Sequence, residues 1–183
     1  MQHCGTKRLE TERLILRRYV MEDAAAVYKN WASDDEVTKY LTWPTHKSQE
    51  ISQRVVESWV DRYLDDNYYH WTIALKNNGE EPVGDIAVVN MNESISMMHI
   101  GYCIGKAWWH RGITSEALKA VMDFLFDVVG STRIAARPDP RNPNSGGVIK
   151  KCGMKYEATL RTAGRNGQGI CDECYYALLK EER

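Results

Sequence analysis

Hydrophobic and polar positions in the first third of the chain change from strict alternation to helical spacing. Residues 13–18 alternate, which is typical of a half-buried strand. Residues 21–32 carry apolar side chains at helical intervals, and a break leads to a shorter helical piece over 33–40. Ser48 is suited to cap a long helix that reaches about residue 65. The region predicts one strand followed by helices.

The middle third has the pattern of consecutive strands. Residues 70–76, 82–90 and 94–104 are predicted as strands. The first two are separated by the turn sequence 77–81, in which Gly79 can adopt a positive φ. We therefore expect these three strands to pair as antiparallel neighbours.

The last third alternates helices with strands. A loop over 105–113 precedes an amphipathic helix that reaches about residue 129, and a short strand is predicted at 133–137. The closing strands and the Gly-rich loop between them are predicted at 154–160, 170–179 and 164–169.

One further helix begins at Asn142-Pro143, because Asn caps helices and Pro suits the first helical position. Gly153 is suited to end that helix. The complete order is β-α-α-β-β-β-α-β-α-β-β. This order predicts a mixed sheet flanked by helices, an α+β or α/β three-layer fold, in a single domain over 1–183 with its core at about 9–179.

Composition narrows the class of protein. The 183 residues are 43% hydrophobic and 27% charged, as in globular domains, and 24 basic side chains nearly balance 25 acidic ones. This balance gives no general attraction to nucleic acid or to an anionic membrane. The apolar stretch 117–129 is interrupted by charges, and no apolar run follows the first residues. We expect a cytoplasmic protein without nucleic-acid or membrane partners.

The five cysteines are odd in number and irregularly spaced, which argues against a disulfide framework. Cys171 and Cys174 form one CxxC on a predicted strand, where residues three apart point to opposite faces. Ordinary packing is therefore favoured over metal or redox use, and no metal site is expected.

The segment 100–119 carries the chemistry that is easiest to interpret. A predicted strand runs into a loop with Arg111 and Gly112, and an amphipathic helix follows. The first N–H groups of a helix lack partners, and the helix dipole is positive there. Such a site binds phosphate groups.

Two motifs about 30 residues apart resemble those of the GNAT acetyltransferases. The first is Ile100-Gly-Tyr-Cys-Ile-Gly followed by Trp109-His-Arg-Gly-Ile-Thr-Ser-Glu-Ala, and the second runs from Asp139-Pro-Arg-Asn-Pro-Asn-Ser-Gly-Gly to Met154. With the opening Leu9-Glu-Thr-Glu-Arg-Leu, they are most similar to the RimJ/RimL branch of ribosomal-protein N-terminal acetyltransferases. The resemblance covers 9–179 and implies the GNAT fold, with a mixed, mostly antiparallel sheet.

The resemblance implies a binding site for acetyl-CoA. The loop from Trp109 to Thr114 matches the one that holds the pyrophosphate, although Trp109, His110 and Thr114 depart from the usual residue types and only Gly112 is retained. Strand 99–104 matches the strand that pairs with the pantetheine arm, as an exposed strand edge can. The implied contacts are Tyr102, Cys103, Ile104, Trp109, His110, Arg111, Gly112, Ile113, Thr114, Ser115, Asn142 and Ser145.

The resemblance also implies the catalytic groups. Asn142 and Ser145 match an Asn-x-x-Ser in which Asn holds the pantetheine and Ser lies near the sulfur. Ser145 is expected to protonate the leaving thiolate, the alternative being a cofactor contact only. An N–H near Cys103 or Ile104 can stabilise the oxyanion. His99 stands where many relatives have Glu; it is either the general base, directly or through water, or a hydrogen-bonded strand histidine.

The resemblance does not identify the acceptor, but it indicates where the acceptor binds. Trp31, Tyr40 and Trp43 lie in the helical region that lines the acceptor site of relatives, and core packing is the alternative for each. The acidic runs 34–36 and 65–66 can attract a cationic acceptor or simply be solvated helix ends.

The expected activity is transfer of acetyl from acetyl-CoA to a primary amine by direct attack in a ternary complex. A protein N-terminal amine, with a pKa of about 7.7–8.0, asks less of a base than Lys at about 10.4. The alternatives are a small-amine acetyltransferase, acting on polyamines or aminoglycosides, and a non-catalytic acyl-CoA-binding module. A monomer or a homodimer is expected.

Overall fold

One eight-stranded sheet forms the centre of the protein, in the order β1-β2-β3-β4-β5-β6-β8-β7. The computed structural model describes all residues from 1 to 183. The strands are β1 (Leu9–Glu10), β2 (Leu14–Arg17), β3 (His70–Leu75), β4 (Pro82–Asn92), β5 (Met97–Ile104), β6 (Arg133–Ala136), β7 (Lys155–Asn166) and β8 (Gly169–Leu179). Only β5 and β6 are parallel neighbours. The mixed, mostly antiparallel sheet predicted from the sequence is confirmed.

Five α-helices flank this sheet: α1 (Ala24–Val27), α2 (Asp35–Thr38), α3 (Gln49–Asp61), α4 (Ile113–Phe124) and α5 (Pro143–Lys151). Short 3₁₀ turns lie at Met21–Asp23, Arg62–Leu64, Glu93–Ile95, Lys106–Trp108 and Lys180–Glu182, and π-helical segments extend over Tyr28–Ala32 and Leu125–Val129. None of the helices combines the length and the apolar character needed to cross a membrane.

Two hydrophobic cores lie on opposite faces of the sheet. The first contains Trp71 and Ile86 from the strands, packed against Leu118 of α4 and Ile149 of α5. The second packs α1 to α3 against the other face, and its largest wholly buried side chain is Trp31. Alternation along the strands sends successive side chains to opposite cores. The predicted three-layer arrangement is therefore present.

The predicted boundaries differ where side chains reshape the backbone. The strand predicted over 94–104 begins at Met97, because Asn92 accepts hydrogen bonds from both the N–H and the hydroxyl of Ser94 and so forms a 3₁₀ turn. Ser96 follows with φ 47°. The side chain of Asn92 competes here with the strand ladder.

Helix ends also differ from the predictions. The long helix predicted to about residue 65 ends at Asp61 and tightens into a 3₁₀ turn, and the helix predicted to 129 passes into a π-helical segment after Phe124. In the helical region predicted over 21–32, only Ala24–Val27 is α-helical.

The closing hairpin is longer than predicted, and β1 was missed. Strand β7 continues to Asn166, so most of the Gly-rich segment is strand, and the turn is closed by the N–H of Gln168, which donates to Asn166 Oδ1. Strand β1 contains only Leu9 and Glu10, and two residues are too few to show an alternating pattern in the sequence.

Gly105 occupies the most crowded glycine position near the end of β5. A Cβ there would overlap the Asn30 carbonyl oxygen and lie 2.7 Å from a ring carbon of Trp108. In contrast, no atom lies within 4 Å of the Cβ position of Gly146 inside α5.

We therefore expect Gly105→Ala to lower the free energy of unfolding by about 1–3 kcal/mol through overpacking. The matched change Gly146→Ala should leave it unchanged or raise it by up to about 1 kcal/mol, since Ala favours a helix interior. Urea unfolding of both variants measures the difference. Equal stability of the two variants would show that the backbone contact at Gly105 is not tight.

Candidate active site

A gap opens in the sheet between β5 and β6. The two strands pair only over Met97–His99, while β5 continues to Ile104 without a partner on that side. Strand β6 ends at Ala136, and the chain then turns toward α5. The final residues of β5 therefore present an unpaired backbone edge inside the sheet.

The hydrogen-bond alternation of β5 shows which groups face the gap. The N–H of Gly105 donates to Val83 O of β4 at 2.9 Å. Because antiparallel ladders alternate, the N–H of Cys103 also turns toward β4, whereas those of Tyr102 and Ile104 face the gap. Of the two oxyanion donors predicted, only Ile104 is therefore available at this edge.

Helix α4 begins beside this edge with free amide groups. Gly112 caps it with φ 74°, and the first helical bond runs from Glu116 N–H to Gly112 O at 3.1 Å. The N–H groups of Ile113, Thr114 and Ser115 precede that bond and have no helical acceptor. Together with the positive end of the helix dipole, they form a site for a phosphate group.

A pair of charged side chains fixes the loop before α4. Arg13 Nε donates to Glu116 Oε2 at 2.7 Å, and its Nη1 donates to Arg111 O at 3.0 Å. Thr11 donates to the other oxygen of Glu116 at 2.5 Å. These contacts join the N-terminal strands to the loop across about 100 residues, and no local sequence signal could have shown them.

The gap, the loop and α5 enclose one cleft of about 450 Å³. All twelve residues that the sequence indicated as cofactor contacts line it. The lining residues not predicted as contacts, apart from Tyr40, are Glu36, Val37, Leu41, Trp108, Pro143, Asn144, Gly147, Val148 and Lys151. Those on α5 fall at helical spacing, a signal that was available in the sequence.

The wall of the cleft near α4 carries positive charge and proton donors. Arg111 and His110 line it and are exposed, and Lys151 reaches it from α5. Lys151 Nζ lies 3.8 Å from the position that a Cβ on Gly112 would take. Cations at this end complement the free amides, so this part of the cleft suits an anionic group.

Two hydroxyl groups meet at the middle of the cleft. The Tyr102 hydroxyl lies 3.0 Å from Ser145 Oγ and donates to Ser145 O at 3.2 Å. Asn142 Oδ1 accepts the N–H of Ser145 and so fixes the first turn of α5. Burial raises the pKa of Tyr102 well above its ordinary value, so the phenol stays protonated at neutral pH. The pair can supply a proton beside the gap.

Comparison with known proteins decides the family. The acetyltransferase (GNAT) domain model matches residues 13–155. The chain belongs to the GNAT acetyltransferase family. It is 30% identical to the N-acetyltransferase YoaA of Bacillus subtilis, over 94% of this chain and 96% of that protein.

Two further likenesses agree with this assignment. The chain is 26% identical to the ribosomal protein uS5-alanine N-acetyltransferase of Escherichia coli, over 82% of this chain and 79% of that protein. A GNAT acetyltransferase structure from Bacillus anthracis superposes with a TM-score of 0.83 at 26% identity, covering 96% of this chain and 99% of that one. GNAT enzymes use acetyl-CoA as the acetyl donor, and the residues of the cleft fit its anionic and amide groups.

His99 is not among the residues that line the cleft of this GNAT enzyme. Its side chain is 5% exposed, and Nε2 has no hydrogen-bond partner. Burial, followed by the nearby charges of Arg137 and Arg133, lowers its pKa to about 4. The structure therefore does not bring the sequence-predicted base to the thioester site, and the hydrogen bond of the alternative interpretation is also missing at Nε2.

Of the three predicted acceptor residues, one lines the cleft. Tyr40 does so, and its hydroxyl donates to Arg141 O at 2.9 Å. Trp31 is completely buried in the second core. Trp43 packs against that core with its ring 5.3 Å from His46. For both tryptophans, the structure agrees with the core-packing alternative.

The structure also shows the surroundings of Glu36, from the first acidic run, and of three cysteines. Glu36 lines the cleft but is paired with Lys106, so its charge is already compensated. Cys174 packs in the first core while Cys171 does not, as strand alternation predicts. Burial raises the pKa of the Cys103 thiol, which keeps it protonated and argues against an acetylated cysteine intermediate.

His99 should make stability depend on pH. Its pKa is about 4 when folded and about 6.5 when unfolded, so the unfolded chain binds the extra proton between these values. Stability therefore falls as the pH falls through this window.

We expect the protein to lose about 3 kcal/mol more than a His99→Gln variant between pH 7 and pH 4. All other titrating groups are shared, so the difference isolates His99. Urea unfolding of both proteins at several pH values measures it, and parallel losses would contradict the buried, neutral state of this imidazole.

Proposed function

We propose that this enzyme transfers acetyl from acetyl-CoA to a primary amine by direct attack in a ternary complex. The convergence of three features on one cleft carries the proposal: an unpaired strand edge, a helix N-terminus and a protonated hydroxyl pair. Acetyl-CoA supplies an activated thioester and a thiol leaving group when bound. Each feature of the cleft suits one part of that molecule.

Binding is divided between the two ends of the cleft. The amides of Ile113 to Ser115, with Arg111 and Lys151, suit the pyrophosphate. The free N–H of Tyr102 and the side chain of Asn142 suit the amide groups of the pantetheine arm, which pairs with a strand edge as an added strand would.

The reaction places two demands on the residues at the gap. The N–H of Ile104 is a fixed donor for the oxygen that becomes negative when the amine attacks. The leaving sulfur needs a proton, and Ser145, hydrogen-bonded to the neutral Tyr102, is placed to give it. Tyr102 can then restore the proton of Ser145.

We propose a protein or peptide N-terminal amine as the acceptor class. Two points support it: the likeness to the uS5-alanine acetyltransferase, and the low proton-removal demand of an α-amine. A small amine is the second candidate, favoured by the aromatic ring of Tyr40 on the cleft wall. A non-catalytic acyl-CoA-binding module is the third.

Replacement of Ser145 separates an enzyme from a binding module. We expect Ser145→Ala to lower kcat about 10- to 100-fold because the thiolate loses its proton donor. The Kd for acetyl-CoA should change less than about threefold, since the amides and cations remain.

Ser145→Thr, which keeps the hydroxyl, should recover part of the rate. Thiol release measures kcat and calorimetry measures Kd. Unchanged kcat in Ser145→Ala would remove this hydroxyl from the mechanism, and loss of acetyl-CoA binding in the same variant would assign it to the cofactor site instead.

The acceptor is tested by thiol release with a divided panel. One half contains peptides with free Ala, Ser or Met N-termini, and the other contains polyamines, aminoglycosides and simple amines. Turnover confined to peptides supports the N-terminal acceptor. Turnover confined to small amines assigns the enzyme to the second candidate class, and binding without turnover assigns it to the third.

A further inference from the structure

A buried polar cluster centred on β3 and β4 does not line the cleft described above. His70 Nε2 lies 2.5 Å from Asp85 Oδ2, and the Tyr68 hydroxyl lies 2.6 Å from His70 Nδ1. The Tyr19 hydroxyl donates to the same Asp85 oxygen at 2.8 Å. Trp59 of α3 packs on the imidazole with ring centroids 4.6 Å apart. The carboxylate is thus held firmly in one orientation.

One oxygen of this carboxylate remains free. Both donors are bound to Oδ2, while Oδ1 accepts no hydrogen bond from the protein. The Asp85 side chain is 18% exposed, against 6% for His70. Its only ion-pair partner is His70, and no Arg or Lys neutralises it. A fixed, partly accessible carboxylate oxygen without a partner is suited to bind a cation.

The register of the sheet places Asp85 next to the cleft. Asp85 of β4 lies directly opposite Cys103 of β5, and Cys103 lines the cleft. Opposite side chains of an antiparallel pair have Cβ atoms about 4.5–5.5 Å apart. Both point to the face covered by α1 to α3, whereas α4 lies on the other face. A molecule entering from the α1–α3 face therefore meets Asp85 beside the end of β5.

Apart from His70, the titratable groups around Asp85 are neutral. The titratable groups that face it are Tyr19, Tyr63, Tyr68, His70 and Cys103. Burial raises the pKa of each tyrosine hydroxyl and of the thiol, so these groups stay protonated. The guanidinium groups of Arg18 and Arg62 stack on Tyr63 and Tyr68 and form no ion pair with the carboxylate.

We propose that Asp85 Oδ1 binds the ammonium group of the acceptor and takes its proton, with His70 and Tyr19 as positioning residues. The inference rests on the proposed function and assigns the base that His99 does not supply. It also predicts that the acceptor carries its amine as a cation when it enters.

The proton balance is complete. The ammonium nitrogen gives its first proton to Asp85, which passes it to solvent, and the freed lone pair attacks the thioester carbon. When the C–S bond breaks, Ser145 protonates the sulfur. The nitrogen loses a second proton after it has attacked, and this proton replaces the one that the Ser145–Tyr102 pair gave to the sulfur. The products are the amide and the free thiol.

The test compares Asp85→Asn with Tyr19→Phe. Both variants disturb the same hydrogen-bond cluster, but only the first removes the carboxylate. Each is assayed with the fastest acceptor of the panel, about two pH units below and about two above the pKa of its amine.

We expect Asp85→Asn to lower kcat/KM for the acceptor about 100-fold at the lower pH and less than tenfold at the higher, where the amine is already neutral. Tyr19→Phe should lower kcat/KM for the acceptor by less than Asp85→Asn does at the lower pH, and by the same factor at both pH values. Acetyl-CoA affinity, measured by calorimetry, should stay within about threefold in both variants.

An equal loss at both pH values, or none, would overturn the role of Asp85 while leaving the proposed function intact. A wild-type protein that binds acetyl-CoA but turns over no primary amine would overturn the proposed function, and this inference with it. Thermal unfolding of each variant identifies losses that come from misfolding.

Discussion

The parallel ladder between β5 and β6 is only three residues long, and the rest of the site depends on that limit. In a fully paired sheet every backbone group of β5 would be bonded to a neighbour. Because β6 ends early, the N–H groups of Tyr102 and Ile104 remain free inside the sheet rather than at its outer edge. Unpaired backbone groups are costly when buried, so they persist here because the gap is an open cleft.

The elements around the gap hold it in a fixed shape from both faces. Tyr102 is hydrogen-bonded to Ser145 of α5 on one side of β5, and Trp109 donates its indole N–H to Ile104 O at the end of the strand. Trp108 packs against the first core and Trp109 against the second, so the loop before α4 is attached to both layers. A preorganised site of this kind does not need to reorder its donors during the reaction.

Local sequence patterns predicted the parts of the structure that depend on backbone propensities and helix capping. The strand–loop–helix around Gly112 and the capped start of α5 at Asn142 are set by backbone propensities, and both form as expected. Positions set by tertiary contacts could not be derived from local patterns. His99 has a suitable residue type but is buried and does not line the cleft. Asp85 is held by hydrogen bonds from His70 and Tyr19, which lie on other elements of the fold.

Acetyl-CoA that adds to the free edge of β5 must change the amide hydrogen exchange of that strand, which NMR measures residue by residue. We expect the amides of Tyr102 and Ile104 to exchange quickly without acetyl-CoA and to be protected when it binds, while Cys103, bonded to β4, is protected in both states. Equal exchange of the three amides, or no change at Tyr102 and Ile104 on binding, would show that acetyl-CoA does not pair with this edge.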